Sequence, residues 1–375
     1  MSTAPVVVAA ARTAIGTAGR SLSTVTAERL AAPVLAEVTR RAGLDPAEVT
    51  DVVLGNCMGP GGDVARSAAL RAGLPEHVPA LTVDRQCASG LAAVDVAARM
   101  VATGSPAVLA GGVESASTAP WRHWPPLDGA APVRYERAPF APAGWDDPDM
   151  GVANDLLAQE AGVSRERQDE YAARSHARAV TAREAGVFDA EVVAVDGVLR
   201  DDRPRALPVG TLAQLRPAFR EDGSVTAGNS CGVSDGAAAV AVVDEDTRAR
   251  LGLPGLRVLA TATAGVAPRR PGRGLVPATR TVLQRAGVGL ADLDAIELNE
   301  AFAGQVLACC DELGLDPRRV CADGGALALG HPWGASGAVL LVRLFHQLVA
   351  RPGSLGLAAI AAGGGQGVAM VVQAC

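Results

Sequence analysis

Lysine is absent from this chain of 375 residues, so all 34 basic side chains are arginine. Schiff-base chemistry, which needs a lysine amine, is therefore excluded. Aromatic residues make up only 3% of the chain, whereas hydrophobic residues make up 49% and glycine occurs 43 times. An interior with so few rings must be filled by alanine, valine and leucine against closely approaching backbone, which is typical of layered α/β folds.

An excess of positive charge and long apolar runs are also missing. The formal net charge is -6, so nothing indicates a surface for nucleic acid. No apolar run approaches the length that spans a bilayer. The short apolar start at residues 5–10 follows no basic residue, and we interpret it as a first strand rather than a leader. We expect neither a nucleic-acid partner nor a membrane partner.

The seven cysteines form no C-x-x-C pair and have no histidine partners at metal-binding spacing. An odd number of cysteines without such spacing favours reduced thiols over a disulfide framework or a zinc site. We therefore expect a cytoplasmic protein without a bound metal.

The sequence contains an internal duplication. Residues 41–54 resemble residues 285–298, because both combine a helix end, a glycine, a short turn and an apolar strand. An Ala-Ser-Gly triplet begins a predicted helix at Ala88 and another at Ala335, and an apolar strand with glycines follows each helix. The pattern predicts two similar α/β halves.

One half carries a long insertion. The second half ends in two adjacent strands, whereas the first half reaches its matching strand only after Gly232. We predict a first half of residues 1–113 plus 232–260, an inserted domain of residues 114–231 and a second half of residues 261–375. The insertion is rich in tryptophan and proline, which suits a substrate cover. A merely stabilising flap explains its composition nearly as well.

Cys87 lies between an apolar strand and the helix that Ala88 begins. Free N–H groups and the dipole of a helix N-terminus stabilise a thiolate, which is the form that attacks a thioester. A small buried residue at a tight turn explains the position equally well.

His331 lies at the mirrored strand-to-helix turn of the second half. If the halves pack about a pseudo-twofold axis, the two turns face each other and His331 can act as a base toward Cys87. The alternative is a surface histidine.

Two further positions could stabilise an oxyanion. Asn299 directly follows the predicted strand 295–298, where its amide could hold a water or donate to an oxyanion, although a helix N-cap is equally consistent. Gly363 begins a glycine run that lacks the G-x-G-x-x-G spacing and precedes a strand, so it is not a dinucleotide loop. We predict close backbone approach there, with an N–H near the reacting carbonyl.

In order, the motifs RQCASG, NEAFA, GGALALGHPWGASG and GGGQG resemble those of the thiolase family over nearly the whole chain. The resemblance implies a five-layered α-β-α-β-α core from two duplicated halves, an inserted loop domain, and a homodimer or dimer of dimers. It implies that Cys87 is the acylated nucleophile, His331 its activating base, Asn299 the water-holding oxyanion residue and Gly363 a backbone oxyanion donor.

The resemblance also implies the substrates. These are acyl-CoA thioesters, with coenzyme A as cosubstrate and no bound cofactor. It places Met150, Cys231, Phe302 and Ala361 at the substrate.

Ala361 departs from the family pattern, in which a second reactive cysteine stands two residues before the glycine run. That thiol moves the α-proton of the enolising acyl-CoA, and a methyl group cannot. The usual two-thiol condensation is therefore predicted to be impaired, unless another group such as His331 or Cys231 transfers the proton. Cys231 itself occupies a position where the family often has a serine near the pantetheine chain.

Three functions remain open from the sequence. The first is a thiolase-type acyl transfer through Cys87, which includes thiolysis and Claisen-type condensation. The second is a ketosynthase-like decarboxylating condensation, in which loss of carbon dioxide generates the carbanion. The third is a weakly active scaffold subunit, which the joint presence of Cys87, His331 and Asn299 disfavours.

Overall fold

Strands and helices alternate along most of the chain in this computed structural model, which describes residues 4–126, 128–135 and 137–375. The strands are β1 (Pro5–Thr13), β2 (Gly16–Thr17), β3 (Asp51–Gly55), β4 (Ala80–Val83), β5 (Ala107–Ser115), β6 (Arg122–Trp124), β7 (Val133–Tyr135), β8 (Val192–Val193), β9 (Ser234–Asp244), β10 (Leu256–Gly265), β11 (Ala295–Leu298), β12 (Leu355–Ala362) and β13 (Gln366–Ala374). The α-helices are α1 (Ala27–Arg41), α2 (Val64–Arg71), α3 (Ser89–Ala102), α4 (Met150–Glu160), α5 (Arg165–Glu184), α6 (Val209–Leu212), α7 (Glu245–Leu251), α8 (Leu275–Ala286), α9 (Ala303–Leu313), α10 (Ala326–Leu329) and α11 (Trp333–Leu348).

The main sheet has a mirrored strand order, β4-β3-β5-β9-β1-β10-β13-β12-β11. The first strands of the two halves, β1 and β10, pair antiparallel at its centre. Outward from this pair, β9 corresponds to β13, β5 to β12 and β3 to β11. This symmetry confirms the duplication predicted from the repeated motifs.

Helices cover the sheet in three layers. One apolar core joins α1 and α2 to the outer side of the first half, and a second joins α8 and α9 to the outer side of the second half. A third core surrounds α3 and α11 between the two halves of the sheet. The result is the predicted α-β-α-β-α arrangement.

The two central helices cross at glycines of the repeated triplets. A Cβ on Gly90 would lie 2.9 Å from the backbone nitrogen of Ala338, and a Cβ on Gly337 would lie 2.5 Å from that of Leu91. On β5, a Cβ on Gly112 would lie 2.8 Å from the carbonyl carbon of Gly334. Small residues are required here because backbone packs directly on backbone, which also explains the scarcity of aromatic residues.

The insertion contains the hairpin β6–β7 and helices α4, α5 and α6. Helix α5 joins it to the second half, because the hydroxyls of Tyr171 and Ser175 donate to Glu300 over 2.8 and 2.6 Å. Arg12 of β1 pairs with Glu191 at 2.8 Å and with Asp201 at 2.7 Å, which joins the insertion to the centre of the sheet.

The predicted domain boundaries stay a prediction. The strand β10 begins at Leu256 and pairs along its length with β13 of the second half, before the predicted boundary at residue 261. In the described part of the chain, no helix is both long and apolar enough to cross a membrane.

Candidate active site

A cleft of about 440 Å³ opens where the turns before α3 and α11 meet. Cys87 lines it from the first half, and His331 and Gly363 line it from the second half. The predicted substrate residues Met150, Cys231 and Phe302 also line this cleft. Residues that are far apart in the sequence are thus brought together around Cys87.

A tight turn presents Cys87 at the start of α3. The preceding residue, Gln86, has a φ of 49°, a left-handed conformation that costs a non-glycine residue about 1–3 kcal/mol. Hydrogen bonds hold this turn: the Gln86 N–H donates to Asp84 over 2.7 Å, and the Ser89 hydroxyl donates to the Gln86 carbonyl over 2.6 Å. The Ser89 hydroxyl also accepts from the Arg85 N–H at 2.7 Å. The sulfur position is therefore set by the backbone.

The thiol of Cys87 is neutral at pH 7, because burial raises its pKa to about 12. The backbone N–H of Gly363 and the N–H of Cys87 itself act in the opposite direction and lower that pKa. The helix N-terminus lies where the sequence indicated, but burial outweighs its expected effect on the thiol. Cys87 therefore needs a base, and the two N–H groups beside its sulfur are suited to an oxyanion.

His331 is suited to act as that base. Its side chain is buried, and burial lowers its pKa to about 4, so the imidazole is neutral at pH 7. Its Nδ1 lies 2.6 Å from the Ser336 hydroxyl. With the proton on Nδ1, the lone pair of Nε2 is available to the thiol. The His331 N–H donates to the Gly232 carbonyl and to the Ser234 hydroxyl, which secures the turn.

Asn299 and Ala361 are not among the residues that line this cleft. Asn299 is not a helix N-cap, because α9 begins after Phe302. It lines a separate cavity of about 20 Å³ together with Ser336, and that volume is sufficient for one water molecule. Ala361 pairs with Gly367 in the β12–β13 ladder and is half-buried.

The insertion supplies an apolar wall to the cleft. Phe140 packs on the glycine run so closely that a Cβ on Gly363 would lie 2.7 Å from its ring. Phe219 meets Phe302 edge to face, with ring centroids 6.2 Å apart. Arg137 also lines the cleft and stacks over the Phe140 ring at 4.7 Å. These contacts are consistent with the insertion covering the substrate.

Several side chains at the site were given no role by the sequence analysis. Ser336 contacts His331. The sequence could have indicated this role, because a serine recurs at the same position in both Ala-Ser-Gly triplets. Buried Glu114 accepts hydrogen bonds from backbone N–H groups of Cys57, Met58 and Gly334, which joins the two halves beneath the cleft. Burial raises the Glu114 pKa to about 7 even though these donors act to lower it. No local pattern indicated that contact.

The chain belongs to the thiolase family. Residues 5–246 match the family model of the thiolase N-terminal domain, and residues 254–374 match that of the thiolase C-terminal domain.

Similar proteins cover the chain almost completely. It is 43% identical over 390 residues to an acetyl-CoA acetyltransferase of Pseudomonas aeruginosa, with 98% of each chain covered. It is 42% identical over 394 residues to an acetyl-CoA acetyltransferase of Escherichia coli, again with 98% of each covered. The crystal structure of the Bacillus anthracis acetyl-CoA acetyltransferase superposes with a TM-score of 0.92 at 38% identity, covering 99% of both chains.

Proposed function

We propose that this protein transfers acyl groups from acyl-CoA thioesters through a covalent acyl-Cys87 intermediate, by ping-pong steps. The observation that carries the proposal is that Cys87, the neutral imidazole of His331 and the Gly363 N–H meet at one cleft. The names of the similar proteins support acetyl-CoA as one acyl donor.

Acylation begins when His331 takes the proton of the Cys87 thiol. The sulfur attacks the thioester carbonyl, and the N–H groups of Cys87 and Gly363 receive the negative charge that develops on its oxygen. One such donor typically contributes about 10²–10³ in rate. The tetrahedral intermediate then collapses and releases the coenzyme A thiolate.

Deacylation delivers the acyl group to coenzyme A or another acceptor. When the acceptor is the enolate of a second acyl-CoA, the product is a 3-ketoacyl-CoA, and thiolysis is the same reaction in reverse. This step requires transfer of an α-proton, which the methyl group of Ala361 cannot perform.

A ketosynthase-like decarboxylating condensation is the second candidate, and Ala361 is the observation that favours it. Loss of carbon dioxide generates the carbanion directly, so no second thiol is needed. The same Cys87 and His331 would serve that reaction.

Mass spectrometry of the intact protein after incubation with a panel of acyl-CoAs tests the proposal. We expect a mass increase that maps to Cys87, and no increase in Cys87→Ala, which should keep its circular dichroism spectrum. Adding malonyl-CoA to the panel distinguishes the second candidate, because carbon dioxide would be released. Labelling that persists in Cys87→Ala would overturn the assignment, and absence of any adduct would favour a scaffold.

The assembly and compartment remain proposals. The family resemblance supports a homodimer or dimer of dimers, and the odd number of cysteines without C-x-x-C spacing supports the cytoplasm.

A further inference from the structure

A second thiol, Cys231, lines the same cleft as Cys87. Its backbone N–H donates to the Ala301 carbonyl over 2.9 Å, and the next residue, Gly232, accepts from the His331 N–H at 3.2 Å. Cys231 is therefore held between the turn that follows β11 and the turn that carries the base. Its thiol is close enough to Cys87 that ionisation of one opposes ionisation of the other.

An arginine lies directly behind Cys231. The guanidinium of Arg203 packs on Gly232, where a Cβ would lie only 2.7 Å from its Cζ. Among the described residues no carboxylate pairs with Arg203, and its buried Nε has no hydrogen-bond partner. An uncompensated cation beside a thiol stabilises the thiolate.

The charges around Cys231 can be named. The pKa of Cys231 is raised to about 12, first by burial and then by the charge of Cys87, whereas Arg203 acts to lower it. Glu300 also opposes its ionisation, but that carboxyl is engaged by the hydroxyls of Tyr171 and Ser175. Cys231 is thus a neutral thiol in the free protein, and Arg203 lies where it can stabilise the thiolate that forms when Cys231 loses its proton.

A third cysteine at the cleft, Cys57, has the opposite surroundings. Its thiol donates to the Gln86 carbonyl over 3.0 Å, so its proton is already engaged. After burial, the largest cause that raises its pKa is the charge of Glu114, which disfavours a thiolate there. Charge therefore selects Cys231 over Cys57 as a proton carrier.

We propose that Cys231 is a catalytic acid and base that moves the α-proton in place of the thiol missing at position 361, and that Arg203 is a positioning residue for its thiolate. This inference rests on the proposed acyl-Cys87 intermediate. During acylation His331 holds the proton of Cys87, and Cys231 gives its own proton to the departing coenzyme A thiolate. Cys231 is then the base of the second half-reaction.

In that half-reaction the Cys231 thiolate takes a proton from C2 of the second acetyl-CoA. The C–H electron pair forms the enolate, whose carbon attacks the acyl-Cys87 carbonyl. A C–C bond forms, the C–S bond to Cys87 breaks, and His331 returns its proton to that sulfur. All protons are accounted for, and the reverse order describes thiolysis with Cys231 as the acid that protonates the enolate carbon.

Two measurements test the proposal. NMR follows exchange of the C2 hydrogens of acetyl-CoA in deuterated water, and mass spectrometry follows formation of acyl-Cys87. In Cys231→Ser, which keeps the size of the side chain but replaces the thiol with a hydroxyl, exchange should fall by roughly 10²–10⁴. Acyl-Cys87 should still form, because water can protonate the departing coenzyme A thiolate. Arg203→Gln should shift the pH dependence of exchange upward by about one unit or more, because the thiolate loses its cation. Cys375→Ser, outside the cleft, should leave exchange unchanged.

Each outcome has a distinct meaning. Unmodified protein that forms no acyl-Cys87 overturns the proposed function itself. Protein that acylates but does not exchange the hydrogens overturns only the role of Cys231. The role of Cys231 is also overturned if exchange survives in Cys231→Ser, or if exchange is lost in Cys57→Ser and not in Cys231→Ser. If folded Arg203→Gln shows the same pH dependence of hydrogen exchange as the unmodified protein, Arg203 does not stabilise the Cys231 thiolate.

Discussion

The Ser336 hydroxyl lies 2.6 Å from Nδ1 of His331, five positions earlier in the chain. Its counterpart in the first half, Ser89, bonds to both Arg85 and Gln86 in the turn that presents Cys87. The serines of the two Ala-Ser-Gly triplets thus support the base in one half and the nucleophile in the other. The same position of the repeated triplet thus supports two different chemical groups.

Ser336→Ala should slow acylation of Cys87 by roughly tenfold or more, a share of the 10²–10⁴ that a general base supplies. Without the hydroxyl, neither the orientation nor the tautomer of His331 is held. A rapid-quench measurement of the acyl-enzyme burst checks this expectation. Ser67→Ala, an exposed change within α2, is the control, and an equal burst rate in the two variants would contradict the role of Ser336.

The rate of Cys87 labelling by iodoacetamide should fall only near pH 4, because burial lowers the pKa of His331 to about 4 and keeps its base form at higher pH. In His331→Asn, labelling should be slow at neutral pH and rise only in the alkaline range, because burial raises the pKa of Cys87 to about 12. A midpoint near 6.5 in the unmodified protein would show that His331 is solvated like a free histidine.

Gly363→Ala should reduce the acylation rate by roughly 10²–10³, comparable to loss of one oxyanion donor. The added methyl would lie 2.7 Å from the Phe140 ring, so the backbone N–H must move away from the sulfur. Adding Phe140→Ala should recover part of the rate. Gly210→Ala, where a Cβ meets nothing within 4 Å, is the matched control. Full activity in Gly363→Ala would exclude this N–H as a donor.

Ala361→Cys, made in the Cys231→Ser background, should restore hydrogen exchange at C2 of acetyl-CoA by about tenfold or more, within the range of acid–base catalysis. Position 361 lies near the end of β12, two residues before Gly363, which lines the cleft, so a thiol there would begin close to the substrate. Exchange is followed by NMR in deuterated water. Failure to recover, with acyl-Cys87 still formed, would mean that position 361 does not reach the substrate.

Arg12→Ala should lower the free energy of unfolding by roughly 3–5 kcal/mol, because buried Asp201 loses its paired cation and Glu191 is left with Arg343 alone of its two arginine partners. Urea denaturation followed by circular dichroism measures the loss. The control is Arg29→Ala, whose pair with Asp196 is largely exposed and should contribute little. Similar midpoints for the two variants would show that the buried network does not stabilise the fold.

Much of this molecule was determined by local patterns in the sequence. The sequence predicted the duplication and the turns before α3 and α11. It could do so because glycines, strand-forming runs and helix starts act within a few residues. Cys87 and His331 stood out because each lies shortly before an Ala-Ser-Gly triplet in a corresponding helix. The strand expected before His331 is wrong, because residues 326–329 form the short helix α10.

Contacts between distant segments were decided only by the tertiary structure. Burial makes Cys87 a neutral thiol, although its place at a helix start favours ionisation. Arg203 packs on Gly232 behind Cys231, and Phe140 packs on Gly363. Both contacts join segments that are far apart in the chain. Desolvation and charge depend on everything packed around a group, so sequence patterns that act over a few residues cannot specify them.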